Sequence, residues 1–184
     1  MRLRRATVEI EPPDLVRVAV EEQSPALYVA TEHGLWAVNP YGEAYAPADM
    51  ADLHDLPLLV GSASAPATDG TPFRDALALV RTVDVPVSPW VGQSLMLEYD
   101  DDLGFEVSAS GRGLRARFGQ GPFVRKFERL VEALDVAARQ LLVVEQAWLD
   151  NAARPNAVTL RIALSGPLAQ AGTMHDVVCR GDGR

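Results

Sequence analysis

Residues 16–27 read V-R-V-A-V-E-E-Q-S-P-A-L, residues 38–45 read V-N-P-Y-G-E-A-Y and residues 55–61 read D-L-P-L-L-V-G. The three patterns follow one another at the spacing of consecutive β-elements, and each contains a proline, a glycine or an alternation typical of strands and turns. None of them matches a catalytic or cofactor-binding motif. Together they indicate a β-rich scaffold rather than a catalyst.

The sequence on either side continues as strands and turns. Valine recurs at every second position over 16–20, and the prolines at 12 and 13 predict a turn that pairs this strand with residues 7–10 in a hairpin. In the next hairpin, Glu32-His33-Gly34 forms the turn, because glycine supplies the positive φ that a short connection needs. Further strands are predicted at 27–31, 35–38, 43–46, 95–99, 105–108, 114–118, 141–147 and 157–164.

Two helices interrupt these strands. Thr71-Pro72 supplies an N-cap and a proline at the first helical position, and the apolar spacing that follows predicts a helix of about three turns. Gly121-Pro122 precedes a second helix, whose apolar stripe is expected to pack on a sheet rather than to bind a cofactor. The stripe consists of Phe123, Phe127, Leu130 and Leu134.

Composition narrows the class of protein. The chain has 184 residues, is 48% hydrophobic and carries a net charge of -8, which is typical of a globular protein and argues against binding to a phosphate backbone. Cys179 is the only cysteine, so neither an intrachain disulfide nor a cysteine-based metal cluster can form. No apolar run reaches the roughly 18 residues of a membrane-spanning helix.

Three motifs suggest chemistry but lack its context. The glycines of Gly111-Arg-Gly113-Leu-Arg-Ala116 match a dinucleotide fingerprint, yet the segment leads into an alternating strand and not into a helix. The acids at 100–102 lack the ligand spacing of a calcium loop and are expected at a hairpin tip. The three histidines show no metal-binding spacing. We therefore expect no cofactor, no metal site and no catalytic residues.

The order of the segments resembles the FtsQ family of bacterial cell-division proteins, called DivIB in Gram-positive bacteria. Residues 7–27 resemble the junction where a POTRA domain ends and a Glu-x-x-Pro signature enters the β domain, and residues 37–45 resemble the family's next hairpin. Residues 55–61 resemble its Leu-Pro-x-x-x-Gly segment, and 113–130 its strand, turn and basic helix. With the final hairpin at 148–162, the resemblance runs from Val8 to Leu164.

This resemblance implies an α+β fold, with a mostly antiparallel, curved β-sheet, two helices packed on it and a partial POTRA hairpin in front. The implied domains are the end of a POTRA domain at 1–24, an FtsQ-type β domain at 25–164 and a flexible tail at 165–184. Family members have a cytoplasmic tail, one membrane helix and a full POTRA domain. The chain is thus expected to be a soluble piece of a protein anchored in the inner membrane and facing the periplasm.

The resemblance also implies a function without catalysis. In the family the β domain joins the divisome by pairing its exposed last strand with FtsB, within an FtsB–FtsL pair, which is β-augmentation. On this chain, Arg161 would attract an acidic partner and Trp148 would serve as an aromatic anchor. Either residue is equally well explained without a partner, Trp148 in the core and Arg161 in solvent. The full set of predicted partner-binding residues is Trp148, Val158, Thr159, Leu160, Arg161 and Ile162.

Two other classes of function remain open at this point. A small-ligand-binding β domain would need a closed pocket between the sheet and the second helix, with buried polar groups converging on it. An enzyme would need a perturbed acid–base pair, and the sequence offers none. A free terminal strand would favour partner binding over the ligand-binding alternative.

Overall fold

The computed structural model describes residues 3–12, 14–49, 56–61, 71–109, 113–163 and 174–177. Within these ranges the chain forms strands and two helices, labelled in chain order. They are β1 (Leu3–Glu11), β2 (Leu15–Glu22), β3 (Leu27–Thr31), β4 (Gly34–Val38), β5 (Ala44–Pro47), β6 (Leu58–Gly61), α1 (Thr71–Val83), β7 (Leu95–Asp100), β8 (Gly104–Ala109), β9 (Arg115–Gly119), α2 (Phe123–Arg139), β10 (Val144–Trp148), β11 (Val158–Ile162) and β12 (Met174–Val177).

A ten-stranded mixed sheet contains every strand except β1 and β2. Its order is β12-β11-β10-β9-β8-β7-β6-β3-β4-β5. Most neighbours are antiparallel, whereas β3–β6, β6–β7 and β9–β10 are parallel. Two of the parallel pairs follow from the helices, because α1 connects β6 to β7 and α2 connects β9 to β10 as crossovers. The predicted α+β class, with a largely antiparallel sheet and two helices, is confirmed.

Both helices pack on one face of this sheet. The amphipathic α2 buries Phe123, whose ring meets those of Phe105 and Phe118 edge-on at centroid distances of 5.8 and 6.5 Å. Strand residues that face the helices, such as Ala116 and Leu160, belong to the same buried cluster. Because side chains alternate along a strand, their neighbours lie on the opposite face, called the outer face below. No helix in the described ranges has the length and apolar character needed to cross a bilayer.

The β1–β2 hairpin stands outside the ten-stranded sheet. Val8 pairs with Val18 and Ile10 with Val16, so the predicted hairpin is confirmed and one of its faces is apolar. Both residues of the Val8–Val18 pair are 58% exposed, and Ile10 is 74% exposed. An isolated two-stranded hairpin is marginally stable at best in water, so this face is expected to need a cover.

A buried asparagine anchors the hairpin's exit to the first turn of the sheet. The Nδ2 of Asn39 donates to Gln23, just after β2, and to the Glu43 carboxylate, each at 2.9 Å. Its Oδ1 accepts from the backbone N–H groups of Tyr41 and Glu43, each at 3.0 Å. On β1, Arg4 donates to the Tyr41 hydroxyl at 2.9 Å. The V-N-P-Y-G turn thereby fixes where the hairpin joins the sheet.

The structure departs from the predicted elements at two places. The strand predicted from residue 141 begins at Val144, because the amides of Leu141 and Leu142 close the end of α2. β6 is not among the strands whose bounds are predicted above, and it lies between β3 and β7, parallel to both. Gly61 permits this arrangement: its φ is +109°, and a Cβ there would lie 2.1 Å from the Tyr99 carbonyl oxygen on β7. Residues 61–70 are rich in Ser, Ala, Pro and Gly and predict a loop; all of them except Gly61 lie outside the described residues.

Candidate partner-binding surface

The predicted binding strand, β11, does not lie at the edge of the sheet. β12 pairs with it in antiparallel fashion, with His175 opposite Leu160 and Met174 opposite Arg161. The prediction that 158–162 forms the exposed last strand is therefore wrong. β12 (174–177) is the part of the predicted tail that the structure describes, and the rest of 165–184 lies outside the described residues. The division of the chain into domains and a flexible tail stays a prediction. The amino-acid composition does not predict β12, because main-chain hydrogen bonds alone can hold a short strand in a sheet without an apolar pattern.

The side chains of β11 divide between the core and the outer face. Val158 and Leu160 are 0% exposed and belong to the core beneath the helices. Thr159 is buried, Ile162 is half-buried and Arg161 is exposed. Of the five predicted residues on this strand, Arg161 thus presents the most accessible side chain. The others offer little side-chain surface, and β10 and β12 pair with the main chain of this strand on its two sides.

The outer face brings Trp148 and Arg161 onto one surface. The alternation of β10 and β11 places the half-buried Trp148 and the exposed Arg161 on the same side. The positions of Trp148 and Arg161 do not show whether these residues bind a partner. Their role in binding stays a prediction. Two rows of side chains cross the outer face of β9, β10 and β11: Arg115, Gln146 and Arg161 in one row, and Arg117, Trp148 and Thr159 in the next.

Three arginines lie on the outer face of β9 and β11, whereas β7 and β8 carry Glu98 and Glu106 on that face. Glu106 on β8 lies 3.3 Å from the Arg117 guanidinium and 4.0 Å from that of Arg115. Among the side chains that the structure describes, Arg161 forms no ion pair. Sequence reasoning did not include Arg115 and Arg117 in the site. The signal was present, because both occupy the polar side of the alternating strand 114–118.

A lysine on α2 fixes the ends of the strands that carry these rows. Lys126 Nζ donates to the carbonyl oxygens of Phe118 and Gln120 at 2.7 and 2.6 Å, and lies 3.4 Å from the Asp150 carboxylate. Its side chain is 13% exposed. A charged donor satisfies main-chain acceptors better than a neutral one, so Lys126 holds the end of β9 against α2 and the segment after β10.

The motifs that suggested cofactor or metal binding form turns and strands. Gly113 is followed by β9 and not by the helix that a dinucleotide site requires, and residues 110–112 lie outside the described ranges. Asp100 Oδ1 accepts from the N–H groups of Asp102 and Leu103, each at 2.9 Å. The three acids therefore form the tip of the β7–β8 hairpin, as predicted.

The ligand-binding alternative gains no support from the interior. Aromatic rings of Phe118 and Phe123 fill the space where α2 meets the sheet. The buried polar residues in the described ranges are Asn39, Ser88 and Thr159, and none of them lies on α2. A cleft of about 580 Å³ opens instead at the start of β9 and β10. Its lining residues are Gly113, Leu114, Arg115, Val143, Val144, Glu145, Gln146 and Arg161.

These features define an α+β domain with an open mixed sheet, whose C-terminal strands carry a charged and partly aromatic outer face. No protein-family model matches the chain. The chain is 30% identical over 168 residues to the cell division protein FtsQ of Myxococcus fulvus, in an alignment that covers 88% of this chain and 57% of that protein. The chain thus spans little more than half the length of this relative. The similarity supports the FtsQ resemblance of the motifs.

Proposed function

We propose that this chain is the extracytoplasmic part of an FtsQ-type protein and acts as a non-catalytic scaffold in bacterial cell division and septum formation. The observation that carries the proposal is the similarity to FtsQ along 88% of the chain. Similarity over so much of the chain does not depend on one short motif. The colinear turn motifs at 22–25, 38–45 and 55–61 add to it.

The proposed partners are FtsB and FtsL, bound at the C-terminal end of the sheet by strand addition. The outer side of β12 ends the sheet in the described residues, and an edge strand offers N–H and C=O groups to another chain. A partner strand can also replace β12 and pair directly with β11. If the partner strand replaces β12, it lies next to Arg161 on β11, with Trp148 on the following strand and on the same face. The two residues then supply selectivity through a charge and an aromatic surface.

The β1–β2 hairpin supports the proposed domain division. We assign residues 1–24 to the end of a POTRA domain and 25–164 to the β domain. The exposed apolar face around Val8, Ile10 and Val18 then packs against the remainder of the POTRA domain in the longer protein. The relative's greater length accommodates such a segment together with an inner-membrane anchor. We therefore propose that the scaffold lies on the periplasmic face of that membrane.

Calorimetric titration with the purified extracytoplasmic FtsB–FtsL segment of the same organism tests this proposal. Leu160→Pro is a poor probe, because Leu160 is fully buried and its loss would disturb the core. His175→Pro and Asp176→Pro are better, since successive N–H groups of a strand point to opposite edges. One variant removes a donor facing β11 and the other a donor facing outward.

The two geometries give different results. If the partner adds outside β12, one proline abolishes binding. If the partner replaces β12, neither proline abolishes binding. The proline that removes the donor facing β11 weakens the β11–β12 pairing and therefore strengthens partner binding. Arg180→Pro, beyond β12, is the control, and circular dichroism verifies folding. Binding that is the same in all three variants would contradict attachment at this end of the sheet, and a folded wild-type chain that does not bind would contradict the proposed function.

A further inference from the structure

Leu141 occupies a position at the end of α2 that usually belongs to glycine. The helix ends with Gln140 as its C-cap. The amide of Leu141 then donates to Ala138 and that of Leu142 to Ala137, each at 3.0 Å, which is the bonding pattern of a Schellman motif. This motif places Leu141 at φ 58°, in the left-handed region that residues other than glycine rarely adopt.

The strained leucine is also fully accessible to solvent. Leu141 is 92% exposed and Val143 is 61% exposed, with Leu142 at 36% between them. We call residues 141–143 the Leu141 ridge. An exposed leucine in a disfavoured conformation stabilises the isolated domain neither by burial nor by backbone preference. A contact between Leu141 and another protein would explain why a leucine occupies this position.

A cationic cleft adjoins the ridge. The cleft of about 580 Å³ described above is lined by Val143 of the ridge and by Arg115 and Arg161. Gln146 lies in register between the two arginines. The carboxylate of Glu106 interacts more closely with Arg117 than with Arg115, and the exposed Glu145 also lines the cleft. Arg161 is thus the cation best placed to meet an incoming carboxylate.

We infer that the Leu141 ridge and the Arg115–Arg161 cleft form one docking surface for a protein segment that carries an apolar side chain beside carboxylates. The apolar ridge supplies contact area and the arginines supply charge complementarity. The inference rests on the proposed function, because it assigns this surface to the same partner. The ridge and β11 are continuous: the amide of Ala163, just after β11, donates to the Val143 carbonyl at 2.8 Å. A partner strand that replaces β12 pairs directly with β11 and so lies next to Arg161 at the edge of the cleft.

Leu141→Gly separates a functional role from a structural one. Glycine relieves the backbone strain and removes an exposed apolar side chain, so the midpoint of thermal unfolding should rise by about 2–4 °C. Binding of the extracytoplasmic FtsB–FtsL segment should weaken by about tenfold. If Leu141 had no role in binding, Leu141→Gly would raise the unfolding midpoint without weakening the binding of the FtsB–FtsL segment.

The double variant Arg115→Glu/Arg161→Glu tests the cleft. Its affinity should fall by more than about tenfold at low salt, and the difference from wild type should shrink as salt screens the charges. Val124→Ala and Arg125→Glu are matched controls, because they alter exposed residues in the first turn of α2, at the opposite end of that helix. Both should bind as wild type does.

The outcomes distinguish this inference from the function on which it rests. Weaker binding in the ridge and cleft variants, with unchanged controls, supports the docking surface. Wild-type affinity in Leu141→Gly and in the folded double variant overturns the docking surface and leaves the proposed function intact. A wild-type chain that fails to bind the FtsB–FtsL segment overturns both.

Discussion

Asn39→Ala removes the amide that connects the hairpin's exit to the first turn of the sheet. Asn39 is 6% exposed, and its side chain donates to Gln23 and Glu43 and accepts from two backbone N–H groups. Alanine leaves those two N–H groups without their acceptor, next to a position that is itself almost fully buried. The turn should lose much of its preference for its present geometry.

The magnitude follows from the number and burial of these bonds. A hydrogen bond contributes roughly 0.5–1.5 kcal/mol net, and a buried group left unsatisfied costs about 1–3 kcal/mol. We therefore expect Asn39→Ala to lower the free energy of unfolding by about 2–4 kcal/mol, a large share of the roughly 5–15 kcal/mol typical of a domain. Urea unfolding followed by far-ultraviolet circular dichroism measures it.

Asn151→Ala is the matched control. Asn151 Oδ1 also accepts from two backbone N–H groups, those of Ala153 and Arg154 at 3.1 and 3.0 Å, but Asn151 is only half-buried. Water can replace its side chain, so we expect a loss of about 1 kcal/mol or less. Equal losses for the two variants, or a loss below about 0.5 kcal/mol for Asn39→Ala, would refute the reasoning from burial.

Three other perturbations test the packing around the sheet. Gly61→Ala should lower the free energy of unfolding by more than about 2 kcal/mol, because the new Cβ would lie 2.1 Å from the Tyr99 carbonyl oxygen. Gly34→Ala, at a similar φ of +114° but with no atom within 4 Å, should cost about 1 kcal/mol; equal costs would refute the steric argument. Lys126→Met removes charged donors from two carbonyl oxygens and should cost about 1.5–3 kcal/mol, whereas the exposed Arg125→Met should stay within about 0.5 kcal/mol. Burial, followed by neighbouring carboxylates, raises the pKa of Tyr99 above its ordinary value of 10.0. The folded state therefore holds this proton more tightly than the unfolded chain, so stability should fall as the pH rises above 10.0 and Tyr99→Phe should reduce that fall in alkaline urea titrations.

Local patterns predicted most elements of the fold. The alternation of valines at 16–20 gave the β1–β2 hairpin, and the stripe of phenylalanine and leucine along 123–134 gave α2 with its buried face. The order of strands in the sheet was harder to predict. The insertion of β6 between β3 and β7 depends on contacts between distant residues, and period-2 alternation is the same for parallel and antiparallel neighbours.

The candidate surface shows the same division. Trp148 and Arg161 were named from the sequence and lie on one face of the structure, whereas Arg115, on a strand that precedes α2, joins their surface only through the parallel pairing of β9 with β10. The prediction that residues 158–162 form the edge strand of the sheet was wrong, because β12 lies outside them. Nothing in the composition of residues 165–184 signalled β12, because main-chain hydrogen bonds carry little side-chain signature.

The sequence by itself determined the class of fold, the turns, the amphipathic helices and the resemblance to FtsQ, since each depends on residues that are close together in the chain. The tertiary structure decided which strand ends the sheet, which arginines share a face and where Leu141 is exposed. These features depend on strand order and on where the helix ends, which long-range pairing and packing fix.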